Sequence, residues 1–202
     1  MYEFAKQSDV KHMTAWCDEV IKKVQKQLRE YFTFDIRLIG SGDKRLVMQN
    51  GKNNYFDLDY NLILQKDKKN LINNPKQIKQ LFINTFNQIA DEYGFEYAHN
   101  STSVITVQLI LEQRLKFSFD VAILVEGNNG SYYRLTFDKN SNRYIWNEVK
   151  HSKNYFERFQ KVKDNGYWLD FKERYKELKN LHLSRRDNLK SFAIFLETLN
   201  EF

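Results

Sequence analysis

The residues best placed to do chemistry in this sequence are Asp57-Leu58-Asp59. On a β-strand, residues two apart share a face, so both carboxylates project together while Phe56, Leu58, Tyr60 and Leu62 point the other way, into a core. Two carboxylates held side by side repel one another and lose hydration unless a cation sits between them. The economical occupant is Mg²⁺ (or Mn²⁺), a hard ion that takes carboxylate and phosphate oxygens together. Asp120 extends the pattern. In the segment from Lys116 to Leu124, Phe117, Phe119, Val121 and Ile123 line one face, and Ser118, Asp120 and Ala122 the other. Taken alone, Asp120 reads as an edge or surface acid; beside Asp57 and Asp59 the reading reverses, because buried acids are rare unless paired or metal-bound.

A further part comes from Gly40-Ser41-Gly42, which follows the alternating strand Phe34, Ile36, Leu38. A glycine lets backbone N–H groups approach a phosphate closely, and Ser41 adds a hydroxyl donor. By itself such a turn is a simple loop.

These residues need a scaffold. Val10, Met13, Cys17, Val20, Ile21, Val24 and Leu28 form one apolar stripe, which predicts a helix from about Asp9 to Tyr31. A loop whose tip holds Asn50, Gly51, Asn53 and Asn54 leads to the acid-bearing strand. Asn74-Pro75 opens a second long helix, with Asn74 as cap, and Gly94 closes it. Strands are expected at 95–97, 104–111 and 115–125, and a hairpin at 132–137 and 143–149. Beyond Ser152 the pattern is helical: Trp168, Phe171, Tyr175 and Leu178 form one stripe. Ser184 with Asp187 reads as a capping box for a last helix presenting Leu189, Phe192, Ala193, Leu196 and Leu199. The expected fold class is α+β: a mixed β-sheet core flanked by helices over residues 1–150, with a C-terminal helical unit, residues 151–202, packed on it.

Other candidates carry less. His12, His99, His151 and His182 lie too far apart in sequence for a local metal cluster, and Cys17, the single cysteine, falls on the apolar stripe of the first helix. Lys153, Arg158, Lys161 and Lys163 with Tyr167 and Trp168 can bind phosphates and stack bases, but the exposed and buried faces of one helix explain them more simply. Tyr132 and Tyr133 can stack on a base or pair across the hairpin.

The 202 residues suffice for a core without disulfides, and 16 Phe and 12 Tyr argue against disorder. The charge of +6 suits a polyanionic partner or a lysine-rich surface equally well. No apolar run is long enough to span a bilayer, and the first residues lack the apolar core of a signal peptide, so a cytoplasmic protein that meets no membrane is expected.

In combination, LIGS at 38–41, DLD at 57–59 and FDV at 119–121 resemble the DNA polymerase β-like nucleotidyltransferase superfamily, which includes minimal, antibiotic and cyclic-oligonucleotide-synthase-like members. The resemblance covers about residues 34 to 125. It implies an NTP-dependent, Mg²⁺-requiring nucleotidyltransferase in a bacterial defence, modification or resistance role. Asp57, Asp59 and Asp120 would hold metal and act in catalysis, while Gly40 and Ser41 would bind the nucleotide's β- and γ-phosphates. The acceptor is left open between a nucleotide, RNA, a protein and a small molecule. One departure concerns Gly42 and Asp43, which stand where members commonly begin a short helix; an extended or irregular loop is expected there instead. The competing reading is a non-catalytic nucleotide- or RNA-binding partner protein that retains the fold.

Overall fold

A computed structural model describes residues 1–51, 55–111, 114–149 and 155–202. Asn53, Asn54, His151, Ser152, Lys153 and the boundary expected at residue 150 lie outside the described residues. Two compact units are present. The larger comprises Lys6–Val47 and Tyr55–Val149; the smaller comprises Met1–Ala5, the segment from Met48, and the C-terminal helices.

The larger unit holds a mixed seven-stranded sheet. Its strands are β2 (Phe32–Ile39), β4 (Phe56–Asp67), β5 (His99–Asn100), β6 (Ile105–Leu111), β7 (Arg114–Glu126), β8 (Tyr132–Asp138) and β9 (Arg143–Glu148). The order is β2-β4-β7-β6-β5, with β8 also paired to β7 and β9 to β8. β4 and β7 run parallel; every other pair is antiparallel. Helices α1 (Gln7–Gln27) and α3 (Pro75–Tyr93) supply apolar stripes to this unit's core. Phe32, Leu58, Tyr60, Leu62, Phe119 and Val121 are all buried, as alternation requires. Phe82 and Phe86 of α3 meet Phe32 and Phe119 at centroid distances of 6.1 and 6.2 Å.

At α3 the local physical reasons stated by the sequence are met. The Asn74 side chain accepts from the Gln77 N–H at 3.2 Å, Pro75 occupies the first turn, and Gly94 ends α3 with φ of 70°. Cys17 is buried, which pushes its thiol pKa well up and leaves it inert.

Three expectations are corrected. Residues 40–44 form a short helix, α2 (Gly40–Lys44), rather than an irregular loop. Gly42 does not break it; a Cβ there would lie 2.9 Å from Leu38 Cδ1 and 3.1 Å from Leu58 Cδ2, so glycine lets the helix pack closely on these side chains. Residues 95–97 are not a strand: Ala98 donates to the Asn87 side chain, and the ladder forms only at His99–Asn100. The last helix does not begin at Ser184.

That last correction belongs to the smaller unit, built from a ribbon of β1 (Tyr2–Phe4) and β3 (Met48–Asn50) and the helices α4 (Tyr155–Asp164), α5 (Trp168–Arg185) and α6 (Ser191–Leu199). α5 runs through Ser184, whose hydroxyl donates back to the Leu181 carbonyl, and Arg186 in the left-handed region ends it. α6 buries Ile194, Phe195, Thr198 and Leu199, while Phe192 in its first turn and Leu189 before it are about half exposed, so its inward face is rotated from the expected one. Phe159, Phe171 and Phe195 pack mutually at 5.2–5.8 Å. Lys163 lies over the rings of Phe159 and Trp168, which makes this basic–aromatic stretch a folded helix face. Asn180 exchanges hydrogen bonds with the Tyr2 backbone, tying β1 to α5. No helix among the described residues is long and apolar enough to cross a membrane.

A candidate active site on the open face of the sheet

β4 and β7 run in parallel register with Asp57 opposite Ser118 and Asp59 opposite Asp120. Partners across a ladder share a face, so all three aspartates project from the side of the sheet opposite the Phe119 core. Asp57 is exposed, while Asp59 and Asp120 are half-buried.

The electrostatics follow from that crowding. Burial, then the charges of Asp57 and Asp120, push the Asp59 carboxyl up to about 6, although Arg134 and Lys44 offset part of this. Asp120 is also raised, mainly by burial and then by Asp57. Opposing this, the Thr106 hydroxyl donates to Asp120 Oδ1 at 2.6 Å, and the Lys79 ammonium lies near enough to favour the charged form.

Gly40 enters the site through register. Ile39 stands opposite Asp59, so the first residue of α2 comes directly against that carboxylate. Gly40 has φ of +65°, and a Cβ built there would lie 2.6 Å from Asp59 Oδ2. Glycine meets both demands without strain or displacement of that carboxylate. Ser41, half-buried, follows in α2, and its carbonyl accepts from Leu46 at 2.9 Å. All five residues singled out from the sequence therefore fall in the larger unit, with Gly40 and the three aspartates in one neighbourhood.

Several residues that sequence reasoning missed join them. Tyr55 Oη lies 2.8 Å from Ser118 Oγ and feels all three aspartates. Lys79 is almost fully buried and donates to the Val104 carbonyl at 2.7 Å; burial lowers it to about 8. Its signal was legible, because a lysine three and seven residues before Phe82 and Phe86 falls on the apolar stripe of α3. Arg134 and Asn61 gave no such signal. Tyr132 packs against Ile63, Ala122 and Leu124, with the Arg37 guanidinium 5.9 Å from its ring centroid, while Tyr133 pairs across the hairpin with Glu148.

Among the described residues, no three His, Cys, Asp or Glu side chains close on one point as a finished metal site. The three aspartates share one repulsive field. Their donor chemistry, carboxylate oxygens beside a glycine-lined approach, nonetheless suits a hard divalent ion and the oxygens of a polyphosphate.

No protein-family model matches the sequence, and no match arises among curated proteins. Solved structures do match. The STING-associated CdnE c-di-GMP synthase from Capnocytophaga granulosa gives a TM-score of 0.62 at 18% identity, over 93% of this chain and 58% of that one. E. coli MS115-1 CdnC with ATP gives 0.57 at 10% identity, over 95% and 59%. The Vibrio cholerae DncV cyclic AMP-GMP synthase in complex with nonhydrolyzable GTP gives 0.60 at 13% identity, over 92% and 51%. This chain thus spans 51–59% of the length of these three structures, and at such identities the likeness is one of fold.

Proposed function

We propose that this chain, which has the fold of the DNA polymerase β-like nucleotidyltransferases, transfers a nucleotidyl group from a nucleoside triphosphate to an acceptor hydroxyl. The observation that carries the reading is the parallel pairing of Asp59 with Asp120, with Asp57 beside them and Gly40 against the Asp59 carboxylate. A fold that crowds like charges so that one carboxyl is raised to about 6 is arranged for a cationic ligand.

In this reading Asp57, Asp59 and Asp120 hold Mg²⁺ or Mn²⁺. When bound, the divalent ion supplies charge neutralisation at the attacking, bridging and leaving oxygens. The chain's own residues do the rest by positioning. Gly40 and Ser41 offer backbone N–H groups and a hydroxyl to the β- and γ-phosphates, aligning the bond to be broken. Asp120 takes the proton of the acceptor hydroxyl. Thr106 occupies Oδ1, so Oδ2 is the basic atom, and burial makes it a stronger base than a solvated carboxylate. The hydroxyl oxygen then bonds the α-phosphorus, and the bond to the bridging oxygen breaks to release pyrophosphate. We assign this activity to the cytoplasm, with the sheet unit of Lys6–Val47 and Tyr55–Val149 as catalytic core and the C-terminal helices as an accessory.

The test is incubation with each labelled NTP and Mg²⁺ or Mn²⁺, with pyrophosphate measured and products identified by mass spectrometry. Pyrophosphate release that vanishes in Asp59→Asn is expected, and the mass of the product names the acceptor. Nucleotide binding without turnover under either ion would instead support a non-catalytic binding protein.

A further inference from the structure

Two buried side-chain atoms among the described residues lack a hydrogen-bond partner, Asn61 Oδ1 and Arg134 Nε. Native proteins satisfy nearly all such atoms, so an orphaned donor and an orphaned acceptor call for a reason. Their positions supply one. Asn61 is two residues beyond Asp59 on β4 and therefore shares its face; across the ladders it opposes Arg37 and Ala122. Arg134 opposes Leu124 on β7, two residues beyond Ala122, on that same face. Burial lowers the Arg134 guanidinium, and the Asp59 charge opposes that shift, so its side chain senses the acid cluster from β8. Both orphans thus lie on the aspartate face.

They also lie on a particular side of it. α2, with Gly40 and Ser41, leaves β2 at Ile39, opposite Asp59; Asn61 lies in the other direction along β4. A nucleotide with its phosphates at Gly40 and Ser41 and its nucleoside running along β4 past Asp59 would meet Asn61 and Arg134. The chemistry agrees. An ionised phosphate offers only acceptors and would face Asn61 Oδ1 with repulsion. A sugar hydroxyl, or a base edge with adjacent N–H and carbonyl or ring nitrogen, offers a donor and an acceptor side by side.

We propose that Asn61 and Arg134 form a nucleoside-reading pair, in which Asn61 Oδ1 accepts from and Arg134 Nε donates to a neutral group of the substrate nucleoside, setting which nucleoside is used. This rests on the nucleotidyl-transfer reading but is tested separately from it. A site built to hydrogen-bond a substrate group rejects analogues that lack it, because its own polar groups are then left buried and unpaired.

The experiment compares the full chain with its Asn61→Leu and Arg134→Gln variants, each checked for folding by thermal melting. Binding of Mg²⁺ with tripolyphosphate, with the four NTPs, and with 2′-deoxy- and 3′-deoxy-NTPs is measured by calorimetry. The expected result is a wild-type preference of at least about tenfold between nucleosides that collapses in Asn61→Leu, with tripolyphosphate affinity unchanged. Collapse among the bases assigns the pair to a base edge, and collapse between ribo- and deoxy-forms to a sugar hydroxyl. Identical preferences in wild type and Asn61→Leu would overturn the proposal. Should Arg134→Gln not fold, Asn61→Leu alone decides, since it removes the unsatisfied Oδ1 and its melting temperature reports whether the fold survives. A wild-type preference that collapses in Asn61→Leu, with no pyrophosphate released by the wild type, would instead count against the transfer reading alone.

Discussion

The two compact units each gather charge, and they handle it in opposite ways. In the sheet unit, Asp57, Asp59 and Asp120 are like charges brought together by strand register, with burial raising Asp59 and Asp120. In the helical unit, His182 stands between Asp187 and Glu197, with each ring nitrogen 2.7 Å from a carboxylate oxygen. Those two partners raise the imidazole, Asp187 most. The clamp is internally complete: it joins the end of α5 to the following turn and to α6 and leaves neither ring nitrogen for a ligand. The aspartate cluster is incomplete by construction. Crowded unlike charges hold a fold together, whereas crowded like charges mark where the fold expects something else.

The sharpest way to break the contrast is substitution at the aspartates. Asp59→Asn and Asp57→Ala should each lower transfer by about three orders of magnitude or more, because the proposed chemistry depends on charge there. Their melting temperatures in chelator should hold or rise, since repulsion is relieved. A variant that unfolds, with its surviving folded fraction turning over normally, would make these acids structural. Next, Gly40→Ala forces a Cβ against Asp59 Oδ2 at a positive φ. Transfer should fall roughly 10- to 100-fold through the displaced carboxylate, with a stability loss of about 1 kcal/mol; steady-state kinetics beside thermal melts separate the two.

The pH dependence sharpens the same comparison. Asp59 is raised from 3.8 to about 6. Its contribution to the ion-free fold is therefore fully present below pH 3.8 and is lost as pH rises through about 6. Asp59→Asn should flatten stability across that window, a recovery of about 1–2 kcal/mol after allowing for solvent. His182 is raised from 6.5, so its contribution is fully present below pH 6.5 and is lost at higher pH, as the folded-state imidazole deprotonates. His182→Gln should remove that second, higher window and leave the first untouched. Denaturation at intervals from pH 3.5 to 9 checks both; a single shared window would erase the distinction. The smallest expected effect is that of Thr106→Val. It frees Asp120 Oδ1 and raises the carboxyl further, so kcat should fall a few-fold and its acidic limb should shift to higher pH.

Much of the candidate site was legible because strand alternation is a local property. Asp57 and Asp59 could be placed on one face, and Asp120 on a face of its own strand, from neighbours alone. That Asp59 meets Asp120 in register was not legible, since it depends on how two distant segments slide against each other. The same limit hid Thr106, Asn61 and Arg134, ordinary residues until ladders bring them beside the acids. Gly40 was chosen for phosphate approach, yet its nearest constraint is the Asp59 carboxylate. The helix at Gly40–Lys44 is not legible from Gly42-Asp43 at its start, because what holds Gly42 there is its packing on Leu38 and Leu58, a tertiary contact. The last helix was displaced because Asp187, read as part of a capping box, instead binds His182.

The parallel seam between β4 and β7 also governs when the acid cluster can exist. Parallel neighbours cannot be joined by a tight turn, so the chain leaves β4, passes through α3, β5 and β6, and returns. Tyr55 and Ser118, hydrogen-bonded at one end of the seam, are 63 positions apart. The loop entropy of that crossover must be met before the strands reward each other, which makes the seam a slow, high-contact-order step. During synthesis the first two aspartates emerge long before the third, and until β7 docks they are a solvated acidic strand with nothing to repel. The charge crowding, and with it any affinity for a cation, arises only when the sheet closes.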